Sequence, residues 1–365
     1  MPHWPVQPLL VVLLCSALVT LVMGVAVLRW HDSLRRRAAR DDTAGNAVGV
    51  AFARFLAGQI DRDRLRARVQ EVPPRALWMA IESFAESIEG EGWRRLTAEL
   101  RDLPEIARTR RRLARGTAWQ RALAARRIGL LQDPTQRGVL FRAMETGPAL
   151  VALSAGLALA RLHDAAALDW LMQHPESLAG LGRHQMVALI KRFGPSALDP
   201  LRRALALEAS EVTARLAVID ALGLWTDETS RPRLETLLAS GELETRVAAA
   251  RALGHLAAPA SIGPLDAALR DRAWQVRAQA ARALGSIGWC AAPAVPGLAA
   301  RLSDLSWWVR RNAAYSLGRM GIVGEHALGS VAESDRDPYA RDAAREVLQM
   351  MDWERENPGG QTHVE

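Results

Sequence analysis

The stretch of sequence that decides the fold is DRAWQVRAQAARALG, residues Asp271–Gly285. The Leu-Gly pair at its end recurs through the second half of the chain at steps of 31, 31 and 33 residues, with the glycines at Gly223, Gly254, Gly285 and Gly318. A fixed period of roughly 30 residues is typical of solenoids, in which each helical hairpin buries its apolar side only against its neighbours. The sequence therefore predicts an all-α protein built from stacked helical hairpins.

Two charged positions recur with the same period. An arginine lies eight residues before each glycine, and in three repeats an aspartate lies six residues before the arginine, in the predicted turn between the two helices of the hairpin. A carboxylate there can accept hydrogen bonds from backbone N–H groups and pair with an arginine of an adjacent repeat. We therefore interpret the two columns as a structural ladder, consisting of Asp271, Arg277, Asp304, Arg310, Asp335 and Arg341.

The repeated glycine is interpreted as the end of the second helix in each hairpin, because glycine readily takes the left-handed conformation of a helix cap. Earlier repeats are weaker. Ile128-Gly129 occupies the Leu-Gly position in the first of them, and Leu162-His163 and Phe193-Gly194 occupy it in the next two. Neither of these two has the arginine, since Ala155 and Met186 stand in its place.

Three segments carry a specific resemblance. Asp271–Gly285, Asp304–Gly318 and Asp335–Gln349 resemble the bacterial HEAT-like repeat, the type also found in phycobilisome lyases. The resemblance covers about residues 104–350; it is strong over residues 211–350 and weak over residues 132–194. It implies a right-handed α-solenoid of about seven or eight units, with the second helices lining its concave side.

The N-terminal segment is predicted to cross a membrane. Leu9–Leu28 is a run of 20 residues without a charge, which as a helix matches the roughly 30 Å of a bilayer's hydrocarbon core. Trp4 and Trp30 bracket it, as aromatic residues do at membrane interfaces. Residues 1–30 are therefore interpreted as a transmembrane anchor. A cleaved signal peptide is the less favoured alternative, because Met1–Pro8 carries no charged side chain.

The orientation and the location follow from charge. Arg35, Arg36 and Arg37 flank the segment on its C-terminal side, so the positive-inside rule places that side in the cytoplasm and the N-terminus outside an inner membrane. Residues 29–130 hold 22 arginines against 13 aspartates and glutamates, and such an excess attracts anionic lipid. We therefore expect a basic juxtamembrane and helical region over residues 31–103, the solenoid over 104–350 and a disordered tail over 351–365.

No catalytic or metal-ligating constellation emerges from the sequence. The eight histidines show no HExxH spacing, and the chain has no His-Glu dipeptide. Cys15 lies in the apolar N-terminal stretch and Cys290 in a predicted turn, so the two cysteines form no framework. We therefore expect neither a cofactor nor an enzymatic activity, although a lyase-like enzyme that uses Cys290 remains an alternative.

Exposed aromatic and basic residues are the candidates for binding. Trp274 and Trp307 share a position at the start of the second helix, where the last repeat has Pro338, so we expect an exposed site there. Exposed tryptophans are frequent hot spots for protein partners, although these indoles could also pack across the turns. The candidates for partner binding are Trp274, Trp307, Trp308, Arg251, Arg282 and Tyr315.

The last three of these candidates allow a second class of function. Basic and aromatic residues on one face can bind a nucleic acid backbone, but Asp220 and Glu346 stand in the same column and make this the less favoured alternative. The sequence predicts a membrane-anchored scaffold that binds protein partners at the cytoplasmic side, and other membrane proteins are candidates for these partners.

Overall fold

The computed structural model describes residues 23, 29–31, 35–36, 39–88, 90–206 and 211–357. Helices and turns account for almost all of these residues, and none of them lies in a β-strand. Trp30, Arg35 and Arg36 are helical and exposed. Except for Met23, the predicted anchor Leu9–Leu28 lies outside the described residues, as do Trp4, Cys15, Arg37 and the chain after Asn357.

The chain divides into two compact units, Met1–Ala143 and Met144–Glu365. The predicted boundary at residue 104 thus falls inside the first unit. Its helices are α1 (39–56), α2 (Arg62–Gln70), α3 (Pro74–Ser87), α4 (Gly90–Leu100), α5 (Pro104–Arg115) and α6 (Ala118–Leu130). Phe52, Trp78 and Trp93 are completely buried in its core, and the Trp93 indole donates to the Leu130 carbonyl at 2.9 Å.

The second unit is a row of helical hairpins. After α7 (Arg137–Thr146), which spans the division, come α8 (Ala149–Ala160), α9 (Ala165–Gln173), α10 (Arg183–Lys191), α11 (Leu198–Ala206), α12 (Val212–Leu224), α13 (Arg231–Leu237), α14 (Leu243–Leu256), α15 (Ile262–Ala268), α16 (Trp274–Ile287), α17 (Val295–Ala300), α18 (Trp307–Gly318), α19 (Gly321–Ser334) and α20 (Pro338–Glu356). The second helices of the hairpins, α12, α14, α16, α18 and α20, pack side by side in chain order. The stacking of hairpins predicted from the period is present in this unit.

The last helix is longer than the sequence suggested. It continues to Glu356, whereas residues from 351 onward were expected to be disordered. Two contacts hold this extra turn and a half: Met351 lies beside Gly318, and Arg355 pairs with Glu325 of α19.

One apolar stretch among the described residues is long enough to cross a membrane. It covers Trp274–Ala300, 27 residues whose most apolar window has a mean hydropathy of 1.3 and is 44% buried inside the protein. It is not one straight helix, because Gly288 has a φ of 70° and a 3₁₀ turn containing Pro293 separates α16 from α17. The stretch therefore forms parts of two adjacent hairpins, and apolar residues such as Val276, Leu284 and Leu298 are buried in the core of the repeats.

The repeated glycines are not left-handed caps, as was predicted, and among Gly223, Gly254, Gly285 and Gly318 only Gly318 is the last residue of its helix. A Cβ atom on Gly223 would lie 2.7 Å from the Cα atom of Ala252, and one on Gly254 would lie 3.0 Å from the Cα atom of Ala283. The glycines are helical residues that let neighbouring second helices approach closely. The left-handed residue comes three positions later, at Thr226, Ala257, Gly288 and Gly321, with φ of 50°, 50°, 70° and 67°.

The left-handed positions also correct the alignment of the weak repeats. Gln132, His163 and Gly194 have φ of 49°, 52° and 63°, and they continue the same series toward the N-terminus. His163 and Gly194 therefore lie in the turns rather than at the helical glycine position, and the sequence alignment was shifted there by three residues. With this correction Arg183 takes the arginine position of its repeat, eight residues before Lys191.

The close approach at Gly223 makes a direct prediction. Gly223→Ala should lower the free energy of unfolding by about 1–3 kcal/mol, because its methyl group would overpack against the backbone of α14. Gly329→Ala is the matched control in the helix α19, where a Cβ meets nothing within 4 Å. It should raise the free energy of unfolding by up to about 1 kcal/mol, since alanine is the better helix former. Urea denaturation measures both changes, and an equal effect of the two substitutions would contradict the assignment.

Candidate functional site

The repeated arginines tie each turn to the next repeat. The Nε and Nη2 atoms of Arg277 donate to the two carboxylate oxygens of Asp304 at 2.7 and 2.8 Å. Its Nη1 atom donates to the backbone carbonyl of Asp271, in the turn of its own hairpin, at 2.9 Å. One planar guanidinium thus closes its own turn and holds the following one, a task that suits the fixed donor geometry of arginine.

The aspartates are buried acceptors. The side chain of Asp304 is 3% exposed, and it accepts a further bond from the backbone N–H of Ser306 at 3.0 Å. Burial alone would raise the pKa of this carboxyl, but the hydrogen bonds from Arg277 and Ser306 outweigh it and lower the pKa. The pKa of Asp271 is lowered by the same balance, with Arg246 and Ala273 as donors. Both groups are therefore held in the charged form that the ladder needs.

The ladder covers three steps and then ends. Its ion pairs are Arg215–Glu242, Arg246–Asp271 and Arg277–Asp304. We expected it to continue through Arg310, Asp335 and Arg341, but the described residues show no ion pair between Arg310 and Asp335. Arg310 and Arg341 each donate only to carbonyls of their own turns, and the Arg310 guanidinium lies 5.2 Å from the centre of the Tyr339 ring.

The exposed side of the second helices presents residues of successive repeats next to each other. We call it the second-helix face and define it by the residues three positions before the helical glycine position, which are Asp220, Arg251, Arg282, Tyr315 and Glu346. Two contacts show that these residues are neighbours. Arg251 donates to the carboxylate of Asp220 at 2.8 Å, and the Tyr315 hydroxyl lies 3.4 Å from the carboxylate of Glu346.

An aromatic cluster occupies the α18 part of this face. Trp307 and Trp308 are 53% and 52% exposed, and their rings meet edge to face with centroids 4.8 Å apart. The Arg311 guanidinium lies 5.7 Å from the centre of the Trp307 ring and 4.8 Å from that of the Tyr315 ring. Half of each indole is thus open to solvent and available to a partner. Trp274, at the same repeat position as Trp307, is 41% exposed but lies outside this cluster.

Two members of the cluster were not predicted from the sequence. Arg311 was not singled out, although it stacks between two of the predicted residues. Tyr339 lines one cavity of about 140 Å³ together with Trp307, Arg311 and Tyr315. It stands 31 residues after Trp308, so the repeat period could have identified it.

The described residues contain no group of three histidine, cysteine, aspartate or glutamate side chains that could hold a metal ion. Cys290 is a free, half-buried cysteine in the turn after α16. His163, in the degenerate part of the array, contacts the Phe193 carbonyl at 3.0 Å. The second-helix face presents aromatic rings and arginines, with Asp220 and Glu346 at its two ends.

Comparisons with known proteins agree with this architecture. The family of HEAT repeats matches residues 198–285, 233–302 and 264–349, so this part of the chain consists of HEAT repeats. No curated protein matches the sequence significantly. Among solved structures, the karyopherin Kap121p, bound to the extreme C-terminus of the protein phosphatase Cdc14p, has a TM-score of 0.50 and 14% identity over 79% of this chain and 37% of the karyopherin. That likeness shows the fold, a helical repeat array.

Two further structures align at lower TM-scores. The complex of CpcE and CpcF of phycocyanin lyase from a Nostoc species has a TM-score of 0.34 and 23% identity, over 42% of this chain and 98% of that chain. Human deoxyhypusine hydroxylase has a TM-score of 0.31 and 21% identity, over 78% of this chain and 98% of that chain.

The ladder can be tested by comparing two arginines. Arg277→Ala should lower the free energy of unfolding by about 3–5 kcal/mol, because the buried carboxylate of Asp304 loses its two hydrogen bonds from Arg277 and keeps only Arg301, 3.6 Å away, as a charged partner. Arg310→Ala removes the same backbone bonds one repeat later but no ion pair, so it should cost much less. Thermal and urea denaturation of both variants measure the difference. Equal losses would mean that the backbone bonds, and not the ion pair, hold the turns.

Proposed function

We propose that this protein is a membrane-anchored scaffold whose HEAT repeats bind protein partners through the second-helix face. The observation that carries the proposal is the aromatic cluster of Trp307, Trp308, Arg311 and Tyr315 on the exposed side of α18. Because each indole is only half buried, part of its apolar surface stays in contact with water and is left available for burial by a partner. Tryptophan, tyrosine and arginine are the residue types that dominate the binding energy of protein interfaces.

The geometry of the cluster supports a role in recognition. Arg311 stacks between two aromatic rings, which holds its guanidinium in place before a partner arrives. Such ordering reduces the conformational entropy that binding would otherwise cost. The side chains stand on a helix that is itself packed between α16 and α20, so the surface is rigid. A preformed, rigid aromatic surface favours a specific partner over nonspecific adhesion.

The proposed anchor restricts partner binding to the surface of the membrane. The uncharged run Leu9–Leu28 and the arginines that follow it favour insertion in an inner membrane with the repeats in the cytoplasm. Tethering confines the repeats to a thin layer beside the bilayer and raises their effective concentration toward other membrane-bound proteins. We therefore propose partners that are themselves membrane proteins or are recruited to the membrane.

Removal of the indoles should separate binding from stability. Trp307→Ala together with Trp308→Ala should weaken the capture of partners in cross-linking pull-downs from membranes, while the free energy of unfolding changes by less than about 1 kcal/mol. Trp119→Ala is the control, because Trp119 is 69% exposed and belongs to the first unit. If the double variant is destabilised more than Arg277→Ala, the indoles have a structural role and the proposal fails.

The anchor and its orientation have their own test. A chain that lacks residues 1–30 should leave the membrane fraction and appear in the soluble fraction, whereas the full chain should resist extraction with carbonate. A fluorescent protein fused at the C-terminus should fluoresce, and alkaline phosphatase fused at the same place should be inactive. Active phosphatase at the C-terminus would place the repeats on the outer side and contradict the proposed orientation.

A further inference from the structure

A cavity on the second-helix face between α14 and α16 is lined by groups suited to an anion. Its volume is about 180 Å³, and its polar lining consists of Arg251, His255, Gln279, Arg282 and Ser286. No carboxylate is among its lining residues. Two guanidinium groups of adjacent repeats thus share one small space, where their mutual repulsion is unfavourable unless a negative charge lies between them.

The protein's own acids compensate this charge only in part. Arg251 donates to Asp220, but the same carboxylate accepts two hydrogen bonds from Arg183, at 2.5 and 2.7 Å. One aspartate therefore serves two arginines. Arg282 is exposed and forms no ion pair with any residue that the structure describes. This arrangement leaves an excess of positive charge at the cavity, and Arg282 carries it.

The positive charge of Arg251 and Arg282 continues along the second-helix face onto α18 and ends there. We call these three helices, α14, α16 and α18, the positive strip. Arg311 and Arg319 belong to α18 and its C-terminal cap, and neither forms an ion pair within the described part of the chain. Glu244, in the first turn of α14, is the only acidic residue in the helices α14, α16 and α18. Beyond the aromatic cluster, α20 presents Asp342 and Glu346 instead.

The length and the borders of this strip favour a peptide over a nucleic acid. Three second helices at axial spacings of 8–10 Å extend over roughly 20 Å, the length of about six residues of extended chain. A nucleic acid presents phosphates continuously and would meet Asp342 and Glu346 at one border. A peptide can place its acidic residues beside Arg282 and its apolar residues beside Trp308.

We infer that the second-helix face binds an extended acidic peptide segment, with a carboxylate held between Arg251 and Arg282 and an apolar or aromatic side chain, further along the same segment, packed against Trp307 and Trp308. The inference rests on the proposed function and names the chemistry of the partner. Carboxylates fit the cavity because paired guanidiniums donate charge-assisted hydrogen bonds to them. The aromatic cluster supplies the apolar part of the contact.

Fluorescence anisotropy with the full chain in detergent tests the inference. The probe is a labelled ten-residue peptide that carries three glutamates followed by a phenylalanine, and its counterpart has glutamines instead. Arg282→Gln should weaken binding of the acidic peptide at least about tenfold, because the charged hydrogen bond is lost. Arg282→Lys should retain most of the binding. Arg272→Gln, which removes one charge in the turn before α16 and outside the cavity, should leave it unchanged.

Other outcomes would overturn the inference. Equal binding of the glutamate and glutamine peptides would mean that the face does not recognise the charge of the peptide. No effect of Arg282→Gln on binding would mean that the peptide binds at another site. A single-stranded oligonucleotide of similar length that displaces the peptide and binds with a steep salt dependence would identify the face as a nucleic acid surface. In each of these cases, a photo-cross-linker at residue 343, beside the aromatic cluster, that still captures membrane proteins in Arg282→Gln would leave the proposed function intact.

Discussion

The close approach of neighbouring second helices is the constraint on which the rest of the structure depends. At Gly223 and Gly254 the next helix lies where a side chain would be, with Ala252 and Ala283 opposite. Small residues let two helix backbones touch along their length. The dense van der Waals contact between them provides the stabilisation that larger side chains would otherwise provide by burying apolar area. Because the glycine recurs once per repeat, each second helix is held in the same register against the next.

This register has consequences on two sides of the array. At the turns, it places an arginine of one repeat within bonding distance of an acid of the next, as in Arg277 and Asp304. On the exposed side, it aligns equivalent positions into rows, as the contact between Asp220 and Arg251 shows. The residues of these rows do not pack in the core, so their chemistry can change from repeat to repeat without changing the fold. Along the second-helix face the residue type accordingly changes from arginine to aromatic to acidic while the fold stays the same.

The period of the sequence was sufficient to predict the hairpins and the exposed position of Trp307, because both depend on repeats of local pattern. The role of the glycines was not predictable in the same way, since a glycine near the end of a helix serves equally for a cap or for a close contact. The left-handed position is a glycine in some repeats, such as Gly288 and Gly321, but in others it is a residue such as Thr226, which carries no sequence signal for it. The position of Tyr339 follows the repeat period, but its contact with Arg310 joins two different hairpins and is not visible in the period.

A double-mutant cycle at Gly318 and Val347 tests the close packing of second helices most directly. A Cβ atom on Gly318 would lie 2.8 Å from a methyl group of Val347, which is 1% exposed. Gly318→Ala and Val347→Ala should each be destabilising, the first by overpacking and the second by leaving a cavity. In the double variant the new methyl group fills the space that the valine vacates, so the loss should be smaller than the sum by about 1 kcal/mol or more. Additive losses would mean that the two helices do not meet at this glycine, and would contradict the account.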